Sequence, residues 1–177
     1  MSLLPESGDL HVRPAEPGDA AAIRAVHEAA FPTRLEADLV ERLERDGDVV
    51  VSLVAAREDE VAGHLLLSRM EVVADGRPRR ALGLGPVAVV PPLQRAGVGS
   101  ALIRGALAIA RATGEEFVFV LGEPEYYQRF GFSAATAAPF ASPYAGPYLM
   151  AIAFGDAPAP AAGTAAYAPA FTLGASA

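Results

Sequence analysis

Residues 84–111 constrain the fold more than any other part of the chain. Positions 84–90 form a continuous apolar stretch that is typical of a buried strand, and an amphipathic helix is predicted from 99 to 112. The loop between them, residues 94–99, contains two glycines. A helix N-terminus after such a loop presents backbone amides without helical partners and roughly half a positive charge. The segment therefore predicts a strand–loop–helix unit whose amides bind phosphate.

The two glycines allow a ligand to approach the backbone of this loop closely. Gly97 and Gly99 have no Cβ, and Ser100 adds a hydroxyl at the first helical turn. A dinucleotide-binding fingerprint needs a third glycine, where this chain has Leu102 or Ile103. A Walker loop needs a lysine, and the chain contains none. A nucleotide-binding module is thus disfavoured, and a tight turn without a ligand stays an alternative.

A second motif lies one predicted helix and one predicted strand further along. Residues 94–99, QRAGVG, match the Q/R-x-x-G-x-G/A loop of the GCN5-related N-acetyltransferases (GNAT), and residues 126–132, YYQRFGF, resemble their Y-x-x-x-G-F block. Together with Gly63-His64, the segment 121–132 resembles the YhbS-like branch of predicted acetyltransferases, over most of the chain. The asparagine usual before the tyrosine helix is missing, since 122–124 are Gly-Glu-Pro.

This resemblance implies a single α/β domain of the GNAT type. Its mixed, splayed sheet would have about six to seven strands, flanked by about four helices. We expect this domain to cover residues 1–154. Residues 155–177 are rich in alanine and proline and are expected to form a tail that packs on the surface or is partly disordered.

The hydrophobic pattern permits the same order of elements. Strands are predicted at 10–13, 49–56, 61–73, 84–90, 117–121 and 148–154, and helices after an N-cap at Asp19, at 35–45, at 99–112 and at 123–129. Gly105 costs about 1 kcal/mol inside a helix relative to alanine, so its presence predicts a close crossing against the sheet.

The resemblance also implies how acetyl-CoA would be held as acyl donor. The strand edge at Val87, Ala88 and Val89 would hydrogen-bond the pantetheine arm, and Pro86, which has no N–H, would let the strand part from its neighbour. The diphosphate would lie on the glycine loop, whose residues are Gln94, Arg95, Ala96, Gly97, Val98, Gly99 and Ser100.

Tyr127 is the candidate general acid, and its hydroxyl is also expected to contact the cofactor. In the family, the tyrosine of this block reaches the cofactor sulfur. A phenol of pKa about 10 stays protonated at neutral pH and can protonate a departing thiolate. Packing of Tyr127 under the sheet is the alternative, and Tyr126 is expected to pack.

The general base is left open by the sequence. Glu36 on the second helix and His64 on an alternating strand are the candidates, with Glu71 possible on the same grounds. A solvated helical face for Glu36 and a structural role for His64 are the competing interpretations. Binding of the amine in its neutral form and loss of its proton through water are two further alternatives.

Composition limits the class of partner. A net charge of −7 argues against nucleic-acid binding, and the absence of cysteine excludes disulfides, thiolate metal sites and a cysteine nucleophile. No metal-ligand spacing is evident. No leader peptide or membrane span is evident either, so we expect a cytoplasmic protein. We further expect a monomer or homodimer. The predicted activity is acetyl transfer to the primary amine of a small molecule or peptide by direct attack. A non-catalytic acyl-CoA-binding regulatory module is the alternative.

Overall fold

The described part of the chain contains two β-sheets and five α-helices. The computed structural model describes residues 10–174. The strands are β1 His11–Pro14, β2 Val49–Arg57, β3 Glu60–Arg69, β4 Glu71–Ala74, β5 Arg77–Arg79, β6 Ala81–Val89, β7 Phe117–Leu121, β8 Phe140–Ala141, β9 Leu149–Ala153 and β10 Gly163–Ala166. The helices are α1 Ala20–Ala30, α2 Leu35–Asp46, α3 Val98–Ala112, α4 Pro124–Tyr127 and α5 Ala134–Ala137.

The larger sheet is mixed, and its one parallel pair lies near its centre. The strand order is β1-β2-β3-β6-β7-β9, and every neighbouring pair is antiparallel except β6 and β7. Helix α3 makes the crossover that a parallel pair requires. The predicted α/β class with a mixed, splayed sheet is confirmed.

The two faces of this sheet are covered by different helices. On one face, α3 buries Leu102, Ile103 and Ala106 against leucines of β3 and β6. On the other face, α1 and α2 bury Ile23 and Leu43 in a separate cluster. Burial of large apolar side chains on both faces is the main stabilising contribution in such a layered fold.

The smaller sheet has the order β5-β4-β10-β8, and its inner strand β10 comes from the predicted tail. A β-carbon at Gly163 would collide with the Val73 carbonyl, so a strand of small residues suits this close pairing. Ala165, Ala168 and Ala170 are buried. The described part of the tail therefore packs as part of the fold. The first nine residues of the predicted domain, 1–9, and the last three of the predicted tail, 175–177, lie outside the described residues.

Three local features differ from the sequence prediction. The predicted strand 61–73 is divided at Met70, where β3 ends and β4 joins the second sheet. Asp19 is the N-cap residue of α1, as predicted, but its side chain makes no capping hydrogen bond to the helix. Its carboxylate instead accepts hydrogen bonds from the Arg13 guanidinium and the Glu16 amide. A β-carbon at Gly105 would meet its neighbours at an ordinary 3.5 Å, so the close crossing lies elsewhere, at Gly63, where contacts would be 3.1 Å.

Candidate functional site

The loop before α3 leaves a row of backbone amides without partners. Gly97 is the N-cap of the helix with φ of 88°, and Arg95 also has a positive φ, of 63°. The amide of Ala101 donates to the Gly97 carbonyl at 3.0 Å. Within residues 10–174, no hydrogen bond is donated by the amides of 95–100. These donors lie at the positive end of the helix dipole and suit an anionic ligand.

Strands β6 and β7 part next to this loop. Their parallel pairing covers Ala81–Leu84. Within the described chain, residues 87–89 pair with β3 only, after a register shift that leaves 85 and 86 without a partner in β3. Pro86 has no N–H to donate, which removes one ladder hydrogen bond from this half of the strand. The free edge of 85–89 therefore faces the gap between the two strands. This is the parting that Pro86 predicts.

An outer cavity of about 590 Å³ lies at the loop end of that gap. Arg95 and Arg129 bring positive charge to its walls, and two carboxylates partly offset it. Arg129 lies over the Tyr126 ring at 4.7 Å, and a β-carbon at Gly99 would come 2.8 Å from the Tyr126 hydroxyl oxygen. The walls are formed by Arg95, Gly97, Gly99, Ser100, Glu123, Glu125, Tyr126 and Arg129.

An inner cavity of about 420 Å³ lies where the strands part. Its walls are mostly apolar and are formed by Glu36, Leu39, Leu84, Gly85, Pro86, Leu121, Tyr144, Tyr167 and Phe171. The Oε2 atom of Glu36 and the hydroxyl of Tyr167 are buried there without a hydrogen-bond partner in the described chain. Burial raises the pKa of Tyr167 above its usual range, so this phenol stays protonated.

Tyr127 is packed beside the gap. Its ring contacts those of Tyr126 and Phe132 at centroid distances of 5.0 and 5.8 Å, and it abuts Gly122. Burial, and secondarily Tyr126, raises the pKa of Tyr127 to about 12. Burial, and to a smaller extent Tyr127, raises the pKa of Tyr167. The described residues that line the outer and inner cavities do not include Tyr127.

His64 lies in the core, with 0% of its surface exposed. Its Nδ1 is 2.8 Å from Nε2 of His27, and its Nε2 is 2.9 Å from the Ser52 hydroxyl. Burial lowers the pKa of His64 to about 3 and that of His27 to about 4, so both rings are neutral. Both ring nitrogens of His64 are engaged in this buried chain, which gives the residue no free group to offer a substrate.

Comparison with known proteins identifies the family. The model of the acetyltransferase (GNAT) domain matches residues 11–135. The chain belongs to the GNAT acetyltransferase family. It is 40% identical over 116 residues to the uncharacterized N-acetyltransferase YjhQ of Escherichia coli, across 64% of either chain, so just under two thirds of that relative is covered. It is 32% identical to YhbS of the same organism, across 67% of this chain and 71% of YhbS.

Two solved GNAT structures resemble this chain over nearly its whole length. A GNAT acetyltransferase from Brucella melitensis in complex with acetyl-CoA is 36% identical, with a TM-score of 0.76, and the match covers 92% of this chain and 97% of that one. Escherichia coli YhbS in complex with CoA is 25% identical, with a TM-score of 0.82, at 93% and 92% coverage. The predicted resemblance to the GNAT family and its YhbS-like branch is confirmed.

In this GNAT chain, the predicted cofactor residues lie along one path from β6 to α3. The side chain of Gln94 donates to the Val89 carbonyl at 2.9 Å and closes the loop onto the strand. Ala88 and Val98 bury their side chains in the core, so neither side chain is available to a ligand. Val87 is half-buried, and Ala96 is exposed in the loop. Tyr126, for which the sequence predicts packing, both packs and lines the outer cavity.

The inner cavity is lined in part by residues that were not among the candidates predicted from the sequence. Glu36, a predicted candidate, is there, but Tyr144, Tyr167 and Phe171 come from segments without a recognisable motif. Only the pairing of β10 with β4 and β8 brings them to β6. The available signal was the presence of aromatic residues in an otherwise alanine-rich part of the chain. No helix within residues 10–174 is long and apolar enough to span a bilayer.

Proposed function

We propose that this protein transfers the acetyl group of acetyl-CoA to a primary amine by direct attack. The observation that carries the proposal is the combination of unpartnered amides at 95–100 with the open strand edge at 85–89. The amides suit a diphosphate, and the strand edge suits the amide groups of a pantetheine arm. The relatives crystallised with acetyl-CoA and with CoA support the same assignment.

The loop fits the donor on its own geometry. Gly99 leaves a space in front of Tyr126 that a β-carbon would fill, and Arg95 and Arg129 supply charge beside the amides. The open edge leads from this loop to Gly85 and Pro86, which line the inner cavity. A thioester at the end of an extended arm would therefore meet an acceptor held in that cavity.

Bound acetyl-CoA would supply an activated acetyl group as its thioester. Glu36 is proposed to take one proton from the acceptor ammonium, which frees the nitrogen lone pair. As the C–N bond forms, the nitrogen releases a second proton and the C–S bond breaks. Tyr127 gives its proton to the sulfur and is restored by the second proton from nitrogen. The net change is one amide, one thiol and one proton released to solvent.

His64 is left out of this mechanism because its ring is buried and engaged with His27 and Ser52. Glu71 is on β4 of the second sheet, and it is not among the described residues that line the inner cavity. The proposed base is therefore Glu36, which does line it.

Isothermal titration with acetyl-CoA, followed by a thiol-release assay over a panel of primary amines, tests this function. Binding together with amine-dependent thiol release supports an enzyme. Binding without release from any amine would favour the non-catalytic acyl-CoA-binding module. Failure to bind acetyl-CoA would exclude both, and tight binding of NAD or ATP instead would indicate a nucleotide-binding module.

A further inference from the structure

The inner cavity contains two buried polar atoms that the described protein leaves without hydrogen bonds, Glu36 Oε2 and the Tyr167 hydroxyl. A buried polar atom without a partner is destabilising, and native structures contain few of them. The residues that carry these atoms both line one cavity next to the point where β6 and β7 part. Their position indicates that the missing partner is a ligand.

The charges of the cavity determine which ligand this can be. Among the described residues that line it, Glu36 alone carries a charge. A carboxylate only accepts hydrogen bonds, so its partner must be a donor, and a cationic donor forms the stronger bond. The other walls include Leu39, Leu84 and Leu121, which favour an apolar body.

Aromatic rings form the wall contributed by the C-terminal part of the chain. The rings of Tyr144 and Tyr167 meet at 5.7 Å and 84°, and those of Tyr167 and Phe171 at 5.0 Å and 51°. Aromatic faces attract cations through the ring quadrupole, and desolvation strengthens this attraction. A carboxylate and a cluster of three rings together have the composition of an ammonium-binding site.

We infer that the inner cavity selects small acceptors that carry a single ammonium group on an apolar body, and that it rejects amines with a neighbouring carboxylate. Glu36 would bind the ammonium, the three rings would surround it, and the leucines would hold the body. A carboxylate on the ligand would face Glu36 without any cation in the cavity walls to pair with it, within residues 10–174. This inference rests on the proposed function, because it names the substrate class of that site.

A ligand that cannot react separates recognition from catalysis. Phenethyltrimethylammonium has a permanent charge and no proton to transfer. Its binding to the CoA-loaded protein can be followed by ligand-observed NMR. We compare it with the neutral analogue in which carbon replaces nitrogen, and with phenylalanine betaine, which adds a carboxylate. The cation should bind at least about tenfold more tightly than either, as a charge–aromatic contact predicts.

Variants test which residues of the inner cavity are responsible for the tighter binding of the cation. Glu36→Gln should bring the affinity for the cation close to that for the neutral analogue, and Tyr144→Leu should reduce it several-fold. Glu44→Gln is the matched control, because Glu44 is an exposed carboxylate on the same helix that does not line the inner cavity in the described structure. It should leave all three affinities unchanged. Circular dichroism confirms that each variant is folded.

Equal binding of cation and neutral analogue would overturn the inference, and so would a preference that survives Glu36→Gln. Failure of the proposed function looks different. In that case CoA itself does not bind, and the same three ligands are titrated into the unloaded protein. Tighter binding of the cation there would still support an ammonium site, whereas no difference would refute it.

Discussion

The ring of Tyr167 lies directly over Gly83 of β6. A β-carbon at position 83 would come within 2.7 Å of Tyr167 Cε1 and 3.3 Å of Met70 Sδ. Only a glycine leaves room for the ring at this point of the sheet. The contact joins the centre of the larger sheet to the segment after β10, and it holds one wall of the inner cavity in place.

Replacement of Gly83 by alanine should therefore displace Tyr167 from the cavity. We expect a loss of about 1–3 kcal/mol in the free energy of unfolding, because the added methyl overpacks the site. The preference for phenethyltrimethylammonium should fall, while the affinity for CoA should stay unchanged. Urea denaturation and the binding experiments measure the two effects. Unchanged stability and selectivity would show that the ring does not depend on this contact.

Gly97→Asp should abolish cofactor binding without unfolding the protein. Aspartate tolerates positive φ better than most residues and is a favourable helix N-cap, so α3 should form normally. Its carboxylate would occupy the amides and repel a diphosphate. We expect the dissociation constant for CoA to rise by about a hundredfold or more. Gly114→Asp, at a positive-φ glycine beyond the other end of α3, is the control and should retain binding.

Tyr127→Phe should lower kcat by about tenfold or more and leave the affinity for acetyl-CoA within a factor of two, because it removes only a proton donor. Stopped-flow thiol release and calorimetry supply the two values. Tyr148→Phe changes the same group on a side chain that is 52% exposed and should have no effect. An undiminished kcat in Tyr127→Phe would assign the thiolate proton to another donor, with Tyr167 the first to test.

The buried His27–His64 pair should make the protein sensitive to acid. Burial lowers the pKa values to about 4 and 3, from 6.5 in the unfolded chain. Below pH 6.5 the two histidines therefore bind protons in the unfolded state but stay neutral in the folded state until the pH approaches 4. Stability should be full above pH 6.5 and decrease by a few kcal/mol, in order of magnitude, as the pH falls towards 4.

Thermal melts between pH 7.5 and 4.5, a range where Asp19, with a pKa of about 2, stays ionised, measure this loss. His27→Leu should flatten the pH dependence. His11→Gln, at an exposed histidine, should not change it. A melting temperature independent of pH over this range would contradict the assignment of neutral, buried rings.

Gly105→Ala should stabilise the protein by up to about 1 kcal/mol, since alanine is the better helix former and its methyl meets Val12 and Leu53 at ordinary contact distances of 3.5 and 3.6 Å. Gly63→Ala is the comparison, because its methyl would press on Val98 and Leu102 of α3 at 3.1 Å. Chemical denaturation of both variants distinguishes the two environments. If Gly105→Ala were destabilised instead, the close crossing that the sequence predicts at this position would be supported.

Much of the cofactor side of the site follows from local sequence. The glycine loop lies between a strand and a helix that are adjacent in the chain. Residues 84–112 therefore contain the whole strand–loop–helix unit. Pro86 likewise marks where β6 leaves β7, because a missing N–H is a property of the residue itself. The buried, hydrogen-bonded position of His64 could not be predicted in this way, because its partners Ser52 and His27 belong to different elements.

The sequence by itself indicated the α/β class through its hydrophobic periodicity. It indicated the family and the glycine loop through two motifs, each confined to a few dozen residues. Tertiary structure alone decided the inner cavity. Glu36 of α2, Leu84 of β6 and Tyr167 beyond β10 share no local pattern. They meet because β10 pairs with β8 and also with β4, which lies about ninety residues earlier in the chain. Contacts of that separation depend on the packing of the whole domain, which no local motif encodes.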